Sequence, residues 1–432
     1  MYQKIKELAH LYYTDTVNTR RDLHKYAERG WLEVRTACKI AVELEKLSYE
    51  VLAGEDIMDK EARMGLPSEH ALHLNYRRAQ KENANPKYLE KVKMGMTAVA
   101  GVLRCGEGPT IGLRFDIDAL GLIEDTNDDH LPFVEGFNSC HLGAMHACGH
   151  DGHTAIGLTT VKILMDIKDQ LHGTIKLIFQ PAEEGVRGAR SIAESGFLDD
   201  VDYLFAAHIM PSFDRPYDLY FGMNKTFATT KLDVTYHGVS THAAESPQFG
   251  KNAILSAATC IVNLHAIPRN AQGDTRVNVG TIHAGTGRNV IPETAKMELE
   301  VRGVTTELNR YMEMYARDII NGAALMHDTV VEVKKMGKAH AVECDEDLMN
   351  ELRTMCQQNL PDLSLPPVNM DPLGGSDDFS YLMTRVQAHG GKATYITPIV
   401  SSPHNTAFDF DEKVLELGPR VFASIVYSLT NK

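Results

Sequence analysis

Four metal-capable side chains, His146, Cys148, His150 and His153, and the carboxylate of Asp151 fall within eight consecutive residues, His146-Ala147-Cys148-Gly149-His150-Asp151-Gly152-His153. The glycines between them let the backbone fold tightly around an ion. A second cluster, Gln180-Pro181-Ala182-Glu183-Glu184-Gly185, brings two adjacent carboxylates, and His208 and His404 offer two more imidazoles. Cys148 supplies a soft thiolate and His150 an imidazole; Glu184, His208 and His404 bring the set to five. A structural zinc site is closed by four ligands. Five ligands of mixed character fit two divalent ions better, with Cys148 as the bridge.

Two neighbouring glutamates allow a division of labour. Glu184 is read as a ligand. Glu183 takes a proton from water activated at the metal and later hands it to the leaving amine, work a carboxylate can do because a metal lowers the pKa of water toward about 7. Asp118 is expected to orient a ligating histidine through its second nitrogen, and Asp151 is a second candidate for that task. His153 is either a ligand or a support for the helix that follows, the second reading being preferred; His146 is read as structural. A lone cysteine such as Cys140 or Cys260 is more often a small buried hydrophobe than a ligand. The surrounding histidines set Cys148 apart.

The elements that must position these groups follow from periodicity. A strand over 97–104 precedes another over 110–115, which delivers Asp116 and Asp118 at its end. A helix is expected over 154–171, with apolar Ile156, Val161, Leu164 and Ile167. Thr174 to Phe179 reads as a short buried strand ending at the glutamates, and Tyr203 to Ala207 as another ending at His208. Metal-capable groups thus recur at strand C-terminal ends, where open α/β sheets place their ligands. Residues 5–47 read as helical with a break at Gly30. Residues 56–93 are charge-rich and read as an insertion, with a helix from Ser68, a plausible N-cap, to about Ala84. A solvated surface helix is the plainer reading of this insertion; a cover for the site or a partner-docking element is the sharper one.

Residues 231–336 follow a different pattern. Leu232, Val234 and Tyr236 alternate with polar residues; a helix over 252–267, strands over 276–282 and 295–302, a helix over 307–326 and a strand over 329–335 complete a βαββαβ order. That order is the split-βαβ, ferredoxin-like arrangement. The expectation is an α/β domain from 1–227 and 337–432, closed by a helix over 413–429, with a small α+β domain inserted over 228–336. Within the insert, His242 follows a strand, Asn289 lies in a turn and Arg302 ends a strand. These groups either polarise a carbonyl and hold a carboxylate or are turn and surface polar residues.

Length and composition bound the rest. A chain of 432 residues exceeds one compact core. Its net charge of -14 argues against nucleic acid as a main partner, and an acidic substrate would need a local cationic pocket. Seven cysteines without repeating spacing make a disulfide framework unlikely. With no apolar signal core and no run of 18 apolar residues, neither secretion nor a membrane span is expected; a reducing cytoplasm fits.

Taken together, Asp116-Ile117-Asp118-Ala119-Leu120, the His146–His153 run and Gln180-Pro181-Ala182-Glu183-Glu184-Gly185 resemble the M20 metallopeptidase family, in its amidohydrolase branch. The resemblance covers nearly the whole chain. It implies a zinc-peptidase-like catalytic domain with an inserted dimerisation domain, and two manganese or zinc ions on Cys148, His150, Glu184, His208 and His404. It also implies Glu183 as general base and His242 as a histidine that reaches across a dimer to stabilise the intermediate. Asn289 and Arg302 match positions that hold the carboxylate side of the substrate. Arg63-Met64-Gly65-Leu66-Pro67, Arg187-Gly188-Ala189-Arg190 and Phe408-Asp409-Phe410-Asp411-Glu412 narrow the resemblance toward enzymes that cleave p-aminobenzoyl-glutamate. Another N-acyl amino acid or a dipeptide is the alternative substrate, and a catalytically silent binding partner is the reading from another class. The resemblance further implies a homodimer or association with a separate B subunit. The segment 374–378 and Pro403 are expected near the substrate pocket.

Overall fold

The computed structural model describes residues 1–209, 217–223, 226–366, 375–397 and 404–432. Its strands are β1 (Glu50–Ala53), β2 (Val99–Arg104), β3 (Thr110–Asp116), β4 (Thr174–Gln180), β5 (Tyr203–Ala207), β6 (Tyr220–Phe221), β7 (Ala228–His237), β8 (Thr275–Ala284), β9 (Thr294–Gly303), β10 (Val330–Ala339) and β11 (Lys392–Thr397). They form two sheets. The larger runs β1-β2-β4-β3-β5-β11-β6, and the smaller runs β10-β7-β9-β8.

At the centre of the larger sheet, β4, β3, β5 and β11 are parallel, with antiparallel strands at its edges. Parallel strands need both faces covered, which is why they read as continuous apolar runs; β3 and β4 are buried along nearly all their length. The register sets Asp116 opposite Gln180, so the acidic ends of two adjacent strands leave the sheet side by side.

One face is covered by the helix His150–Asp166, flanked by the helices Tyr2–Lys25 and Val414–Thr430. The His150–Asp166 helix is buried on every side through its first three turns, the signature of a helix sandwiched inside a core. It starts four residues before the expected Thr154. The polar residues of its first turn have buried partners of their own, and apolar periodicity alone does not register them. Gly149 precedes it at φ 84, a left-handed conformation that suits glycine; the turn there lets Cys148 and His150 approach one site.

In the expected 5–47 helical region, two helices, Tyr2–Lys25 and Val34–Lys46, are separated by a break that contains Gly30. In the 56–93 segment, Ser68 caps the helix Glu69–Lys81 by accepting the N–H of Ala71. A purely solvated helix is not what forms. Leu72, Asn75 and Ala79 are buried, and a further helix, Pro86–Val92, adds Tyr88, Leu89 and Val92 to the main core.

The smaller sheet is antiparallel throughout. The helices Ala253–His265 and Thr306–Met326 pack on it around Leu232, Val234, Tyr236, Met297 and Val301. Strand β7 alternates buried and half-buried residues over its second half, the two-faced pattern of an antiparallel sheet with one wet side. After β10 the chain returns through the helices Glu346–Asn359 and Phe379–Ala388 to insert β11 between β5 and β6.

Candidate metal centre

The metal-capable groups converge at the C-terminal ends of β3, β4 and β5. Cys148 Sγ lies 3.6 Å from His208 Nε2, and His404 Nε2 lies 3.7 Å from Glu184 Oε1. His150 Nε2 lies 3.8 Å from Glu183 Oε2. Ligand-capable atoms of Cys148, His150 and His208 fall within 4.8 Å of one another, as do those of Cys148, Glu184 and His404, and those of His150, Glu183 and Glu184. All five expected ligands and Glu183 therefore share one locus, with Cys148 common to two of these groups. His404, which follows undescribed Pro403, sits at φ 62, and its N–H donates to the carbonyl of Ala147 at 2.7 Å. That bond ties the distant C-terminal histidine to the residue before Cys148.

The hydrogen bonds fix which imidazole nitrogen is left for an ion. His150 Nδ1 is 2.9 Å from the carbonyl oxygen of Asp118 and His208 Nδ1 is 2.8 Å from that of Ile209. A carbonyl only accepts, so both Nδ1 atoms carry the proton and both Nε2 lone pairs face the cluster. His153 has no spare lone pair. Its Nε2 accepts the N–H of Ile209 at 2.8 Å and its Nδ1–H donates to Asp116 at 2.5 Å. It supports the backbone that carries His208.

Asp118 acts through its main chain and its side chain: the main-chain carbonyl lies 2.9 Å from His150 Nδ1, with carboxylate Oδ1 3.4 Å from the same nitrogen, and the carboxylate accepts the N–H of Glu183 at 3.0 Å and of Glu184 at 3.1 Å. The carboxylate thereby holds the turn that aims both glutamates. Asp151 does not orient a ligand, contrary to the expectation. It turns away to Arg20 Nε and His24 Nδ1, each at 2.8 Å, because a buried carboxylate without such partners is costly.

Sequence reading missed the polar layer beneath the site. Arg114, fully buried in β3, donates to Gln180, Asp116 and Asp377 at 2.8, 2.6 and 3.1 Å. Asp378 accepts from Gln180 Nε2 and from the N–H groups of Gly188 and Ala189, each at 2.8 Å. The signal was present: an arginine in the middle of an otherwise apolar strand must have buried partners. Of the 374–378 segment, Gly374 lies outside the described residues, whereas Asp377 and Asp378 stand against Glu183.

The local field calls for cations. Burial, then the carboxylates of Asp377 and Glu184, hold Glu183 well above the usual carboxylate range. Burial likewise brings Glu184 to about 7 and pushes the Cys148 thiol up. Although burial opposes it, Asp116 and Cys148 draw His150 upward, toward carrying positive charge. Burial and His153 lower His208 to about 3, leaving a neutral imidazole. No lysine or arginine nitrogen lies within 4.0 Å of the carboxylate oxygens of Glu183 or Glu184 among the described residues. Among the described residues, the buried atoms His150 Nε2 and Glu184 Oε1 have no hydrogen-bond partner, a role divalent cations in this donor set would fill.

The remaining predicted residues lie on the smaller sheet. Residues 242 and 290 form a bridge, and the N–H of Ala243 donates to the carbonyl of Asn289; His242 and Asn289 thus occupy one loop pair. His242 Nδ1 accepts the N–H groups of Ala244 and Glu245 at 3.3 and 3.2 Å, so its proton sits on Nε2. Arg302 is held by both oxygens of Glu300, at 2.9 and 3.1 Å, and reaches Ser376 Oγ at 3.4 Å. Among the described residues, His242 belongs to none of the metal-capable groups.

Three comparisons bear on this geometry. The family pattern described as Peptidase family M20/M25/M40 matches residues 112–428. Indole-3-acetyl-aspartic acid hydrolase of Enterobacter agglomerans is 44% identical over 94% of this chain and 93% of its own. One of the named subunits of the p-aminobenzoyl-glutamate hydrolase of Escherichia coli strain K12 is 41% identical over the same shares. The crystal structure of the aminobenzoyl-glutamate utilization protein from Klebsiella pneumoniae superposes with a TM-score of 0.85 at 36% identity, over 98% of both chains.

Proposed function

Because this chain belongs to peptidase family M20/M25/M40, we propose that it is a two-metal amidohydrolase that cleaves p-aminobenzoyl-glutamate into p-aminobenzoate and glutamate. The observation that carries the reading is the convergence of Cys148, His150, Glu184, His208 and His404 around unpartnered, buried acceptor atoms, with Glu183 beside them. The two relatives named above share one substrate logic: an aromatic acyl group joined through an amide to an acidic amino acid.

Two divalent cations, manganese or zinc, would be held by those five residues and would supply Lewis acidity to the scissile carbonyl and lower the pKa of water. The protein residues do the rest. Glu183 accepts the proton of the attacking water as its oxygen bonds the amide carbon. The C–N bond then breaks as Glu183 returns that proton to the leaving nitrogen. Asp118 keeps Glu183 and Glu184 in register through their N–H groups. His242 of a second copy of the chain, its proton already on Nε2, would donate to the developing oxyanion. Asn289 and Arg302 hold the α-carboxylate.

On this reading residues 1–227 and 337–432 make the hydrolase domain, and 228–336 dimerise. Strand β8 supports that assignment: it is the outer strand of its sheet, and Ile254, Leu255 and Val262 are exposed on the helix Ala253–His265. Association with a B subunit is the alternative assembly, motivated by the relative that is named as one component of a hydrolase with subunits. None of the seven cysteines is in a disulfide, which suits a reducing cytoplasm. Among the described residues, no helix is long and apolar enough to cross a membrane.

The test is glutamate release from p-aminobenzoyl-glutamate by the purified chain loaded with manganese or with zinc, alone and with a B subunit. Turnover is expected; its absence under all these conditions sinks the assignment. The second reading, hydrolysis of indole-3-acetyl-aspartate or another N-acyl amino acid, is favoured by the 44% identity to the indole-3-acetyl-aspartic acid hydrolase and is separated by kcat/KM across a substrate panel.

A further inference from the structure

A cleft of about 730 Å³ opens beside Glu184, between the 56–93 segment and the smaller sheet. Arg29 and Arg187 line the wall of the larger unit together with Glu184, while Asp233, Glu298 and Glu300 line the opposite wall. Lys231 on that wall is neutralised by Glu300 at 3.0 Å.

Arg187 differs from the other arginines near the site. Arg114 and Arg302 are bound by carboxylates. Arg187 instead donates from Nε to the carbonyl of Glu184 at 2.8 Å and from Nη1 to the carbonyl of Gly65 at 3.1 Å. No carboxylate oxygen among the described residues lies within 4.0 Å of it. Two carbonyls orient a guanidinium without neutralising it, and the remaining N–H groups of its fork have no partner among the described residues. Gly30 makes the space: a Cβ there would come within 2.3 Å of Arg187 Nη2. Gly65, at φ 59, is wedged in turn against the end of β10, where an added Cβ would meet the carbonyl of Met336 at 2.4 Å.

We propose that Arg187 is a specificity-determining residue that pairs with the side-chain carboxylate of the amino-acid half of the substrate. The inference rests on the amidohydrolase reading above. A planar, half-buried guanidinium already aimed by two carbonyls is a receptor for a carboxylate fork. On the far wall Glu300 is paired with Lys231 and Arg302, but Asp233 and Glu298 repel a carboxylate, which favours the side of Arg29 and Arg187. A neutral amino acid leaves Arg187 with nothing to bind, whereas glutamate or aspartate brings the second carboxylate it requires. The 56–93 segment thereby acquires a task. Its tip, through the Gly65 carbonyl, sets the angle of the residue that reads the substrate.

The test compares p-aminobenzoyl-glutamate with p-aminobenzoyl-glutamine, which differ in side-chain charge and hardly in shape, for the wild type, Arg187→Gln and Arg187→Lys. The wild type should favour the glutamate compound by roughly 10- to 100-fold in kcat/KM, the worth of a hydrogen-bonded charge pair. In Arg187→Gln that ratio should fall to within about threefold, mainly through KM for glutamate; Arg187→Lys should keep part of it. An unchanged ratio in Arg187→Gln, or no preference in the wild type, overturns the proposal. Calorimetric binding of the same two compounds reads the preference without turnover. If neither compound is cleaved, the amidohydrolase assignment fails, while loss or persistence of the binding preference in Arg187→Gln still decides the role of Arg187.

Discussion

Replacing Asp118 with asparagine separates two jobs that one residue performs. The main-chain carbonyl that orients His150 survives the change; the carboxylate that holds the Glu183–Glu184 turn does not. That carboxylate uses one oxygen for each N–H, at 3.0 and 3.1 Å. Asparagine keeps one neutral oxygen and presents an NH₂ to the other N–H. One charge-assisted bond weakens and one buried N–H meets a donor, a loss of about 3 kcal/mol. The turn resists that loss poorly, since Ala182 and Val186 both sit at positive φ, 49° and 57°, at roughly 1 kcal/mol each. If the turn relaxes by this amount, kcat should fall by about 100-fold. Metal content should hold, because His150 keeps the nearer partner, the carbonyl at 2.9 Å, and loses only the carboxylate charge at 3.4 Å. Steady-state turnover together with metal analysis of the purified variant measures both. A kcat within about threefold of wild type, a difference of well under 1 kcal/mol, would refute the role of the carboxylate. Metal loss that by itself accounts for the drop would show that the carboxylate serves His150 instead.

Glu183→Gln should lower kcat by roughly 10²- to 10⁴-fold at unchanged metal content, the range for losing a general acid–base group; unchanged turnover would remove Glu183 from the proton path. Cys148→Ala should reduce bound metal per chain in elemental analysis, and normal stoichiometry would contradict its place as a ligand. Removing metal with a chelator should lower the thermal midpoint, since it leaves the buried Glu183, Glu184 and Cys148 without compensating cations; a midpoint indifferent to added manganese or zinc would argue against the site. In the smaller domain, Glu313 is held down to about 2 from its ordinary 4.5 by Lys338, Lys335 and Arg317, against the opposing effect of burial. A depressed folded-state pKa stabilises above the unfolded value and ceases to do so as pH falls through the folded one. Stability against urea should therefore fall as pH drops from 4.5 to about 2, and Glu313→Gln should flatten that loss; an equal slope in the variant would count against the ion cluster.

Much of this organisation is legible because it is written in period and punctuation. The βαββαβ order around the smaller sheet can be read with element ends displaced by four residues or fewer, since antiparallel strands with one wet face alternate openly. The convergence of Cys148, His150, Glu183 and Glu184 is readable because glycine-spaced histidines and a glutamate pair after a buried strand have few structural excuses, whereas His208 and His404 are isolated and join them only through the fold. What escapes is whatever depends on partners far along the chain. Arg114 makes sense only with Asp377, more than 260 positions away. The start of the His150–Asp166 helix is hidden by Asp151, whose charge is answered by Arg20 and His24 on another helix. The helix Pro86–Val92 is absorbed into a charged stretch, although Asn85 before Pro86 is a helix-start signal. The role of residues 56–93 stays open in the sequence because the carbonyl of Gly65 has no side-chain signature.

The position of β11 has a consequence for biosynthesis. The chain leaves the larger sheet after β6, builds the smaller domain, and only then supplies the strand that joins β5 to β6. A ribosome that has finished β6 has already released Cys148, His150, Glu184 and His208, but β5 ends in a bare edge and His404 is not yet made. Emerging hydrolase sequence must wait through more than a hundred residues with an exposed strand beside a half-built centre. Late closure of this kind slows folding and leaves the nascent chain open to aberrant edge pairing. It also postpones the candidate centre: His404 reaches Glu184 and the carbonyl of Ala147 only after β11 has been made, so a product truncated before it lacks that histidine.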